Sequence, residues 1–268
     1  MSTKVTETES SILANEEVAP GIFLLRITSP DIAGTARPGQ FLHMRIEKSF
    51  DPFLRRPFSV HRAFPEAGEV QVLYRVVGRG TEVLSHKRSG EMVNCVGPLG
   101  NGFGPLKEGR RPLVVAGGMG IAPLIFLVEH IFRDRSDVFF LIGGASRSYI
   151  LYEGELQRWG MRVEVSTEDG SLGHHGLVTD RVAHHLEQSS DMQMYACGPV
   201  AMCTRISEMA LQYDVPCQLS LENWMGCGMG ACLGCVVPVR SAESPHYKRV
   251  CADGPVFDAR EVRLDCGW

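Results

Sequence analysis

The sequence predicts a three-module chain of mixed α/β and β class. An antiparallel β module spans residues 10–108, an α/β module with a parallel sheet spans 109–217, and a small glycine- and cysteine-rich module spans 218–268. Three observations predict it. Short β-branched and aromatic runs broken by Pro and Gly fill the first hundred residues. Strand-like and helix-like runs then alternate, and four of the nine cysteines fall within 25 residues near the end. A length of 268 residues suits one large domain or two to three small ones.

In the first module, after a polar tail, residues 21–27, 40–46, 58–61 and 70–77 read as strands. Pro38-Gly39, Pro65 with Gly68, and Gly78 with Gly80 punctuate them. Leu73 and Val77 fall on what alternation makes the polar face. The expected outcome is a small antiparallel barrel or sandwich. In the second module residues 113–116, 138–142, 162–165 and 192–196 read as strands separated by helical patterns, one of them an apolar helix ending near Arg133. That alternation implies a parallel sheet with right-handed crossovers. The last fifty residues follow neither pattern.

Composition narrows the function classes. Apolar residues make up 44% and charged residues 22%, too apolar for a disordered chain. A net charge of −4 without a basic block gives no support for nucleic-acid binding. The longest uncharged stretch, 112–128, is interrupted by Gly117-Gly118, Gly120 and Pro123 and does not read as a membrane span. The N-terminus MSTKVTETES lacks the apolar core of a secretion signal, so the expected location is the cytoplasm.

Cys227-x4-Cys232-x2-Cys235-x15-Cys251 is the most specific signal. Spacings of x4 and x2 followed by one distant cysteine form the plant-type [2Fe-2S] ligand pattern. The loop also holds Gly226, Gly228, Gly230 and Gly234. Glycine tolerates positive φ, so such a loop can wrap tightly and aim N–H groups at the sulfurs. The alternative is a structural zinc site with four thiolates, although zinc sites usually pair two C-x2-C knuckles. Cys95, Cys197, Cys203, Cys217 and Cys266 read as buried apolar residues rather than ligands.

Arg56-Pro57-Phe58-Ser59 offers a guanidinium for a phosphate, an aromatic ring to pack on a flavin and a hydroxyl for its reactive edge. In isolation Arg56 also fits a solvent-facing arginine on an ordinary strand. Tyr74-Arg75-Val76 and then Gly78-Arg79-Gly80-Thr81 follow and offer a second phosphate site. Gly80-Thr81 at the head of a helix over 82–87 would turn free N–H groups toward a pyrophosphate. Gly117-Gly118-Met119-Gly120-Ile121-Ala122-Pro123 follows a strand and opens a helix, the context of a dinucleotide turn. Pro123 replaces the third glycine, and no acid lies about twenty residues on. Cys197-Gly198-Pro199 ends another strand and could line the same crevice. A plain strand-to-helix turn is the alternative there.

Taken in order, these residues resemble the ferredoxin–NADP reductase superfamily. Arg56 to Ser59 match its R-x-[YF]-[ST] flavin motif, Gly80-Thr81 its phosphate turn, Gly118 to Pro123 its G-x-G-x-x-P turn, and Cys197-Gly198-Pro199 its C-G-P element. With the four-cysteine module appended, the closer resemblance is to the electron-transfer subunit of class 1B dihydroorotate dehydrogenase. Pro38-Gly39-Gln40-Phe41, Arg55-Arg56-Pro57, Gly78-Arg79-Gly80-Thr81 and Gly254-Pro255-Val256-Phe257 also match that family.

The resemblance implies an antiparallel Greek-key flavin barrel, an NAD-binding α/β domain and a C-terminal [2Fe-2S] module. FAD would contact Arg56, Pro57, Phe58, Ser59, Leu73, Tyr74, Arg75, Gly80 and Thr81. NADH would contact Gly117, Gly118, Gly120, Pro123, Cys197, Gly198 and Pro199, with Cys197 near the nicotinamide. Cys227, Cys232, Cys235 and Cys251 would hold the cluster. NADH gives two electrons together and a cluster takes one at a time, so a flavin must stand between them. The implied partner is an FMN-containing dihydroorotate dehydrogenase catalytic subunit, in a heterotetramer serving pyrimidine biosynthesis.

Rival readings are the small subunit of a ferredoxin-dependent transhydrogenase, of a sulfite or sulfide reductase or of a hydrogenase, and, from another class, a non-catalytic zinc-knuckle regulator. In the transhydrogenase branch an aspartate replaces one cluster cysteine, whereas all four are cysteine here. Arg147 could reach a 2′-phosphate, while Glu168 and Asp169 would repel one. The pairs His174-His175 and His184-His185 read as exposed loop and helix residues without a metal role.

Overall fold

The computed structural model describes residues 5–240 and 246–264. The first sheet contains β1 (Thr6–Ala19), β2 (Ile22–Thr28), β3 (Phe41–Arg45), β4 (Arg56–Ser59), β5 (Arg62–Phe64), β6 (Glu69–Arg75) and β7 (Met92–Leu99). Their spatial order is β4-β3-β7-β1-β2-β6-β5, and every pairing is antiparallel. The edge strands β4 and β5 are separated in sequence only by Val60 and His61, so the sheet must curl into a barrel. Two short helices, α1 (Pro30–Ala33) and α2 (Arg79–Ser85), close it. Strand β1 begins at Thr6, inside the expected polar tail, and pairs with β7 from Thr6 opposite Gly97 to Ser11 opposite Met92. A barrel strand needs one apolar face only, so a run of Thr, Glu and Ser hides it from composition.

The second sheet is built from β8 (Arg111–Gly117), α3 (Ile121–Leu127), β9 (Phe139–Gly144), α4 (Glu153–Arg158), β10 (Arg162–Thr167), β11 (His174–His175), α5 (Val178–Gln188), β12 (Met192–Cys197), α6 (Val200–Gln212) and β13 (Cys217–Ser220). The strand order is β11-β10-β9-β8-β12-β13, all parallel. Leu113, Val114, Val115 and Ala116 of β8 are fully buried, as a central strand covered on both faces requires. The chain leaves β8 toward β9 and later returns on the other side as β12. Ligands bind at such a reversal in open α/β sheets.

The tail is less independent than the sequence implied. β14 (Val236–Pro238) and β15 (Tyr247–Arg249) form a hairpin, and β16 (Val256–Asp258) joins the edge of the second sheet antiparallel to β13. The expected boundary at 217/218 therefore falls inside β13, whose partner strand comes from the tail. One apolar core runs from α5 and α6 (Val182, Ile206) through Leu219 and Phe257 to Cys235, Val250 and Cys251. The Pro38-Gly39 and Gly254-Pro255 motifs also meet here. A Cβ on Gly39 would stand 2.8 Å from Val256, and Asn101 bridges to Pro255.

The other face of the sheet carries α3, and its core takes in Ile22 and Leu73 from the barrel beside Val114, Ala116 and Ile121. Leu73 breaks strict alternation because both faces of β6 are covered, one by the barrel interior and one by the nucleotide module. Burying each of these side chains contributes about 1.5–3 kcal/mol. Val77 lies beyond the strand and is exposed. His185 departs from expectation too. It is buried on the inner face of α5 with Nε2 2.9 Å from Glu164 and its ring 4.7 Å from Phe139, while His184 is exposed.

Polar contacts lock the barrel to the nucleotide module. His61 is fully buried, with Nδ1 2.9 Å from the Ala122 carbonyl and Nε2 2.8 Å from the Tyr152 hydroxyl. A carbonyl can only accept, so Nδ1 carries the proton and Nε2 accepts from Tyr152. Arg62 beside it pairs with Glu129 at 3.1 Å and Glu155 at 2.6 Å. Burial pushes His61 down to about 3, overcoming the Ala122 hydrogen bond, and Arg62 lowers it further. The unfolded histidine takes up a proton near its ordinary pKa of about 6.5, and the folded one does not. Stability is therefore fully present above about pH 6.5 and falls as pH drops below it, by up to about 1.4 kcal/mol per pH unit from this group. Urea midpoints between about pH 6.5 and 4.5, above the carboxylate range, should fall less steeply in His61→Gln than in the parent; equal slopes would refute the assignment.

Candidate functional site

Three loops converge around the joined sheets. The cysteine loop runs from the end of β13 to β14, and Cys251 follows β15. The Cys227 sulfur accepts N–H groups of Ala231 and Cys232 at 3.3 and 3.4 Å. Cys251 accepts the Gly230 N–H at 3.1 Å, and Cys235 accepts the Cys251 N–H at 3.4 Å. These hydrogen bonds tie the four cysteines into two pairs, Cys227 with Cys232 and Cys235 with Cys251. Among the described residues no three His, Cys, Asp or Glu side chains converge on one point. Two pairs are the arrangement in which each of two irons takes two thiolates, so the donor set fits a [2Fe-2S] cluster better than one tetrahedral ion.

Burial opposes the Cys227 thiolate, but the N–H groups of Met229, Cys232 and Ala231 and the Cys232 thiol outweigh it and pull the thiol down to about 6. Cys251 goes the other way, pushed up to about 12 by burial and by Cys235. Of the four loop glycines only Gly228 and Gly230 have positive φ, +70° and +85°, and Leu233 adopts +57°. Gly226 and Gly234 keep ordinary backbone and rest against Cys232. Arg249 braces the loop: Nη1 donates to the Gly230 carbonyl at 3.1 Å and the same guanidinium pairs with Asp253 at 2.8 Å. Cys95, Cys197, Cys203 and Cys217 are buried, and Cys266 lies outside the described residues.

In the barrel, Gly80 lies against Arg56: a Cβ there would stand 2.9 Å from Arg56 Nε. The fold thus joins the Arg56-Pro57-Phe58-Ser59 strand to the Gly78–Thr81 turn. Helix α2 starts at Arg79, earlier than expected, because Gly78 caps it and the Thr81 hydroxyl accepts the Val77 and Gly78 N–H groups at 2.9 and 3.2 Å. Phe58 differs from its expected role. Strand alternation turns it into the barrel, where it is buried and lies edge-on to Tyr74 at 5.7 Å. Tyr74 is buried as well, and its hydroxyl donates to Asn15 at 3.0 Å. Arg56, Pro57 and Ser59 are half-buried, and exposed Arg75 lies 5.5 Å over Tyr149 of the nucleotide module. These four remain accessible to a ligand.

Gly117, Gly118 and Gly120 lie at the end of β8 and Cys197, Gly198 and Pro199 at the end of the adjacent β12, on either side of the chain reversal. A Cβ on Gly120 would stand 2.6 Å from the Gly198 nitrogen and closer still to the Cys197 carbonyl. Pro123 sits in the first turn of α3, where its missing N–H is no loss. The Cys197 thiol is buried, which lifts it well above the usual range, and nearby Glu222 lifts it further. Burial and the neighbouring Glu222 thus favour the neutral Cys197 thiol over its thiolate.

Glu222 is the residue that sequence reasoning missed. It is exposed and stands close enough to Cys197 to raise that thiol. A lone acid between the apolar Leu219-Ser220-Leu221 run and the cysteine loop was its only signal. At the other end of the crevice, Asp169 accepts Ser171 N–H and O–H at 2.9 and 2.6 Å, and the Ser171 hydroxyl accepts the Arg147 N–H at 2.8 Å. Exposed Arg147, Glu168 and Asp169 thus share one rim with both signs of charge.

Residues 222–263 match the family model of the iron-sulfur cluster binding domain of dihydroorotate dehydrogenase B, and residues 114–208 match an oxidoreductase NAD-binding domain. The chain is 41% identical, over 95% of its own length and 97% of the other's, to the electron transfer subunit of dihydroorotate dehydrogenase B (NAD(+)) from Desulforamulus reducens. Among solved structures it resembles a chain of the flavin-based electron-bifurcating NADH-dependent reduced ferredoxin-NADP oxidoreductase, with TM-score 0.84, 31% identity, and 96% and 90% of the two chains covered. A ferredoxin NADP+ reductase from Neisseria gonorrhoeae with bound FAD and NADP shares the fold at TM-score 0.66 and 17% identity, over 77% of this chain and 91% of that one.

Proposed function

Because the chain belongs to the family of dihydroorotate dehydrogenase B electron transfer subunits, we propose that its three loops form one electron path from NADH to a catalytic partner subunit. The chain is an oxidoreductase subunit that works with NADH, FAD and a [2Fe-2S] cluster. When bound, FAD would supply the conversion between NADH's electron pair and the single electrons a [2Fe-2S] cluster takes. Arg56 and the Gly78–Thr81 turn hold the FAD phosphates, Pro57 and Ser59 border its ring, and Leu73 and Tyr74 support that wall from behind. Gly117, Gly118 and Gly120 give the dinucleotide close approach to backbone, and Cys197-Gly198-Pro199 closes the nicotinamide end. No side chain need act as acid or base in the hydride step; orientation in a crevice that excludes water suffices.

Cys227, Cys232, Cys235 and Cys251 are assigned as the cluster ligands, and their two N–H-supported pairs carry the reading. The surrounding surface is unusually apolar, with Trp224 92%, Met229 62% and Leu233 62% exposed, which suits a face covered by the partner. That partner is assigned as the FMN-bearing catalytic subunit, within a heterotetramer. Among the described residues no helix is long and apolar enough to cross a membrane, and the free thiols suit a reducing cytoplasm. We assign a flavin barrel from β1 through residue 108, followed by a nucleotide domain and a cluster module that share one sheet through β13 and β16.

Metal and flavin analysis of anaerobically prepared protein tests this directly. Iron, acid-labile sulfide and FAD are expected, with flavin and cluster absorbance bleached by NADH. Zinc without iron would overturn the assignment.

A further inference from the structure

His43 links the flavin strand to the cysteine loop. It lies on β3 directly opposite Pro57 of β4, is 1% exposed, and its backbone carbonyl accepts the Arg55 guanidinium at 3.2 Å. Its ring lies against the cysteine loop at Gly228, next to Cys227. Nε2 is buried without a partner in hydrogen-bonding geometry. Gly228 packs flat on this ring. A Cβ there would stand 2.9 Å from Cγ, 3.0 Å from Cε1 and closer still to Nδ1, and Gly228 has φ +70°. A histidine so deeply buried on a barrel strand is costly unless its polar edge serves something.

We propose that His43 is a positioning residue for electron transfer: it holds the first cluster cysteine against the strand that borders the flavin, and so sets the gap between the two redox centres. This rests on the assignment of FAD to β4 and of the cluster to the four cysteines. The step it governs moves one electron at a time. The reduced flavin is oxidised by one electron, the cluster is reduced by one, and the second electron follows once the catalytic partner has drained the first. The flavin's proton leaves to solvent, so no atom passes through His43. The ring contributes shape and a buried polar edge beside the Cys227 segment, and the missing side chain at Gly228 lets loop and barrel approach so closely.

His43→Leu removes the polar edge while keeping a buried apolar side chain, and His43→Gln restores an N–H. Both are made in the full-length protein carrying FAD and iron. Stopped-flow absorbance with NADH follows flavin and cluster bands in the same trace. His43→Leu is expected to slow cluster reduction relative to flavin reduction several-fold, because the rate of electron transfer falls steeply as the gap between the two centres widens. It should also alter the electron paramagnetic resonance spectrum of the reduced cluster, because contacts around the sulfurs set its electronic character. His43→Gln should recover part of both. Loss of iron with FAD retained in His43→Leu would equally support the proposal, since the loop would then have lost its hold. If His43→Leu does not fold, Gly228→Ala is read on the same two measurements, and its added carbon should produce the same lag. Unchanged resonance and an unchanged ratio of rates, with both cofactors present, would overturn the proposal alone. Absence of iron or FAD from the parent protein would instead overturn the functional reading beneath it.

Discussion

Cys251→Ala is expected to abolish the cluster and, with it, electron delivery to the partner. Its sulfur is 2% exposed, pairs with Cys235 and receives the Gly230 N–H at 3.1 Å. No other described cysteine is positioned to replace it: Cys95, Cys197, Cys203 and Cys217 are buried elsewhere in the strand and helix packing. Loss of an outer contact at a metal site typically costs 10–100-fold, so loss of a ligand should lower partner-dependent turnover by at least about 100-fold. Iron content and cluster absorbance should disappear together. NADH should still bleach the flavin, because the flavin strand lies in the other sheet, and an artificial acceptor should still draw electrons from it. A variant with full iron content and normal delivery would show that the fourth ligand lies elsewhere.

Gly120→Ala is expected to damage nucleotide use more than its one added carbon implies. Its Cβ would collide with the Cys197 carbonyl and come within 2.6 Å of the Gly198 nitrogen, and both obstacles are backbone. A clash with a flexible side chain can relax by a rotamer change, but here β8 and β12 are paired neighbours and cannot separate locally. The turns at the ends of both strands must shift together. Overpacking of this kind costs about 1–3 kcal/mol, and a displacement of about an ångström at the hydride-transfer geometry can cost about 100-fold in rate. Single-turnover reduction of the flavin by NADH should fall accordingly, with a raised KM, while the visible spectrum of the oxidised protein stays intact. A variant with normal NADH kinetics would mean that the two turns do not form the nucleotide site. By contrast Gly118, with φ +52° and open space around it, should accept Asn, a residue that adopts that conformation, without disturbing the fold, so any loss of NADH use there would report the dinucleotide's approach to the backbone.

Much of this was legible in one dimension because the signals are local. Short apolar runs such as Leu113 to Ala116 announce a buried parallel strand whatever surrounds them. Cysteine spacing speaks for itself because three sulfurs in nine residues can converge only if the intervening chain turns tightly. The failures are equally instructive. β1 escaped notice because its outward face is polar and its partner, β7, is some eighty residues away. That Phe58 turns into the barrel was hidden because type and spacing do not reveal which side of a strand faces it. His185 was misread because its adjacent twin, His184, points the other way on the same helix.

The order of motifs, the cysteine register and the alternation of strands with helices determined by themselves the class of fold, the cofactor set and the kind of chemistry. These depend on covalent spacing and on residue type, which any conformation preserves. Tertiary structure alone decided that Leu73 is a junction residue, that Glu222 comes near Cys197 and His43 packs against Gly228, and that the cysteine module grows from the edge of the nucleotide sheet. Each depends on contacts between segments far apart in the chain. Their burial stabilises the fold only after the chain has closed the long loops between them, and no local pattern records that closure.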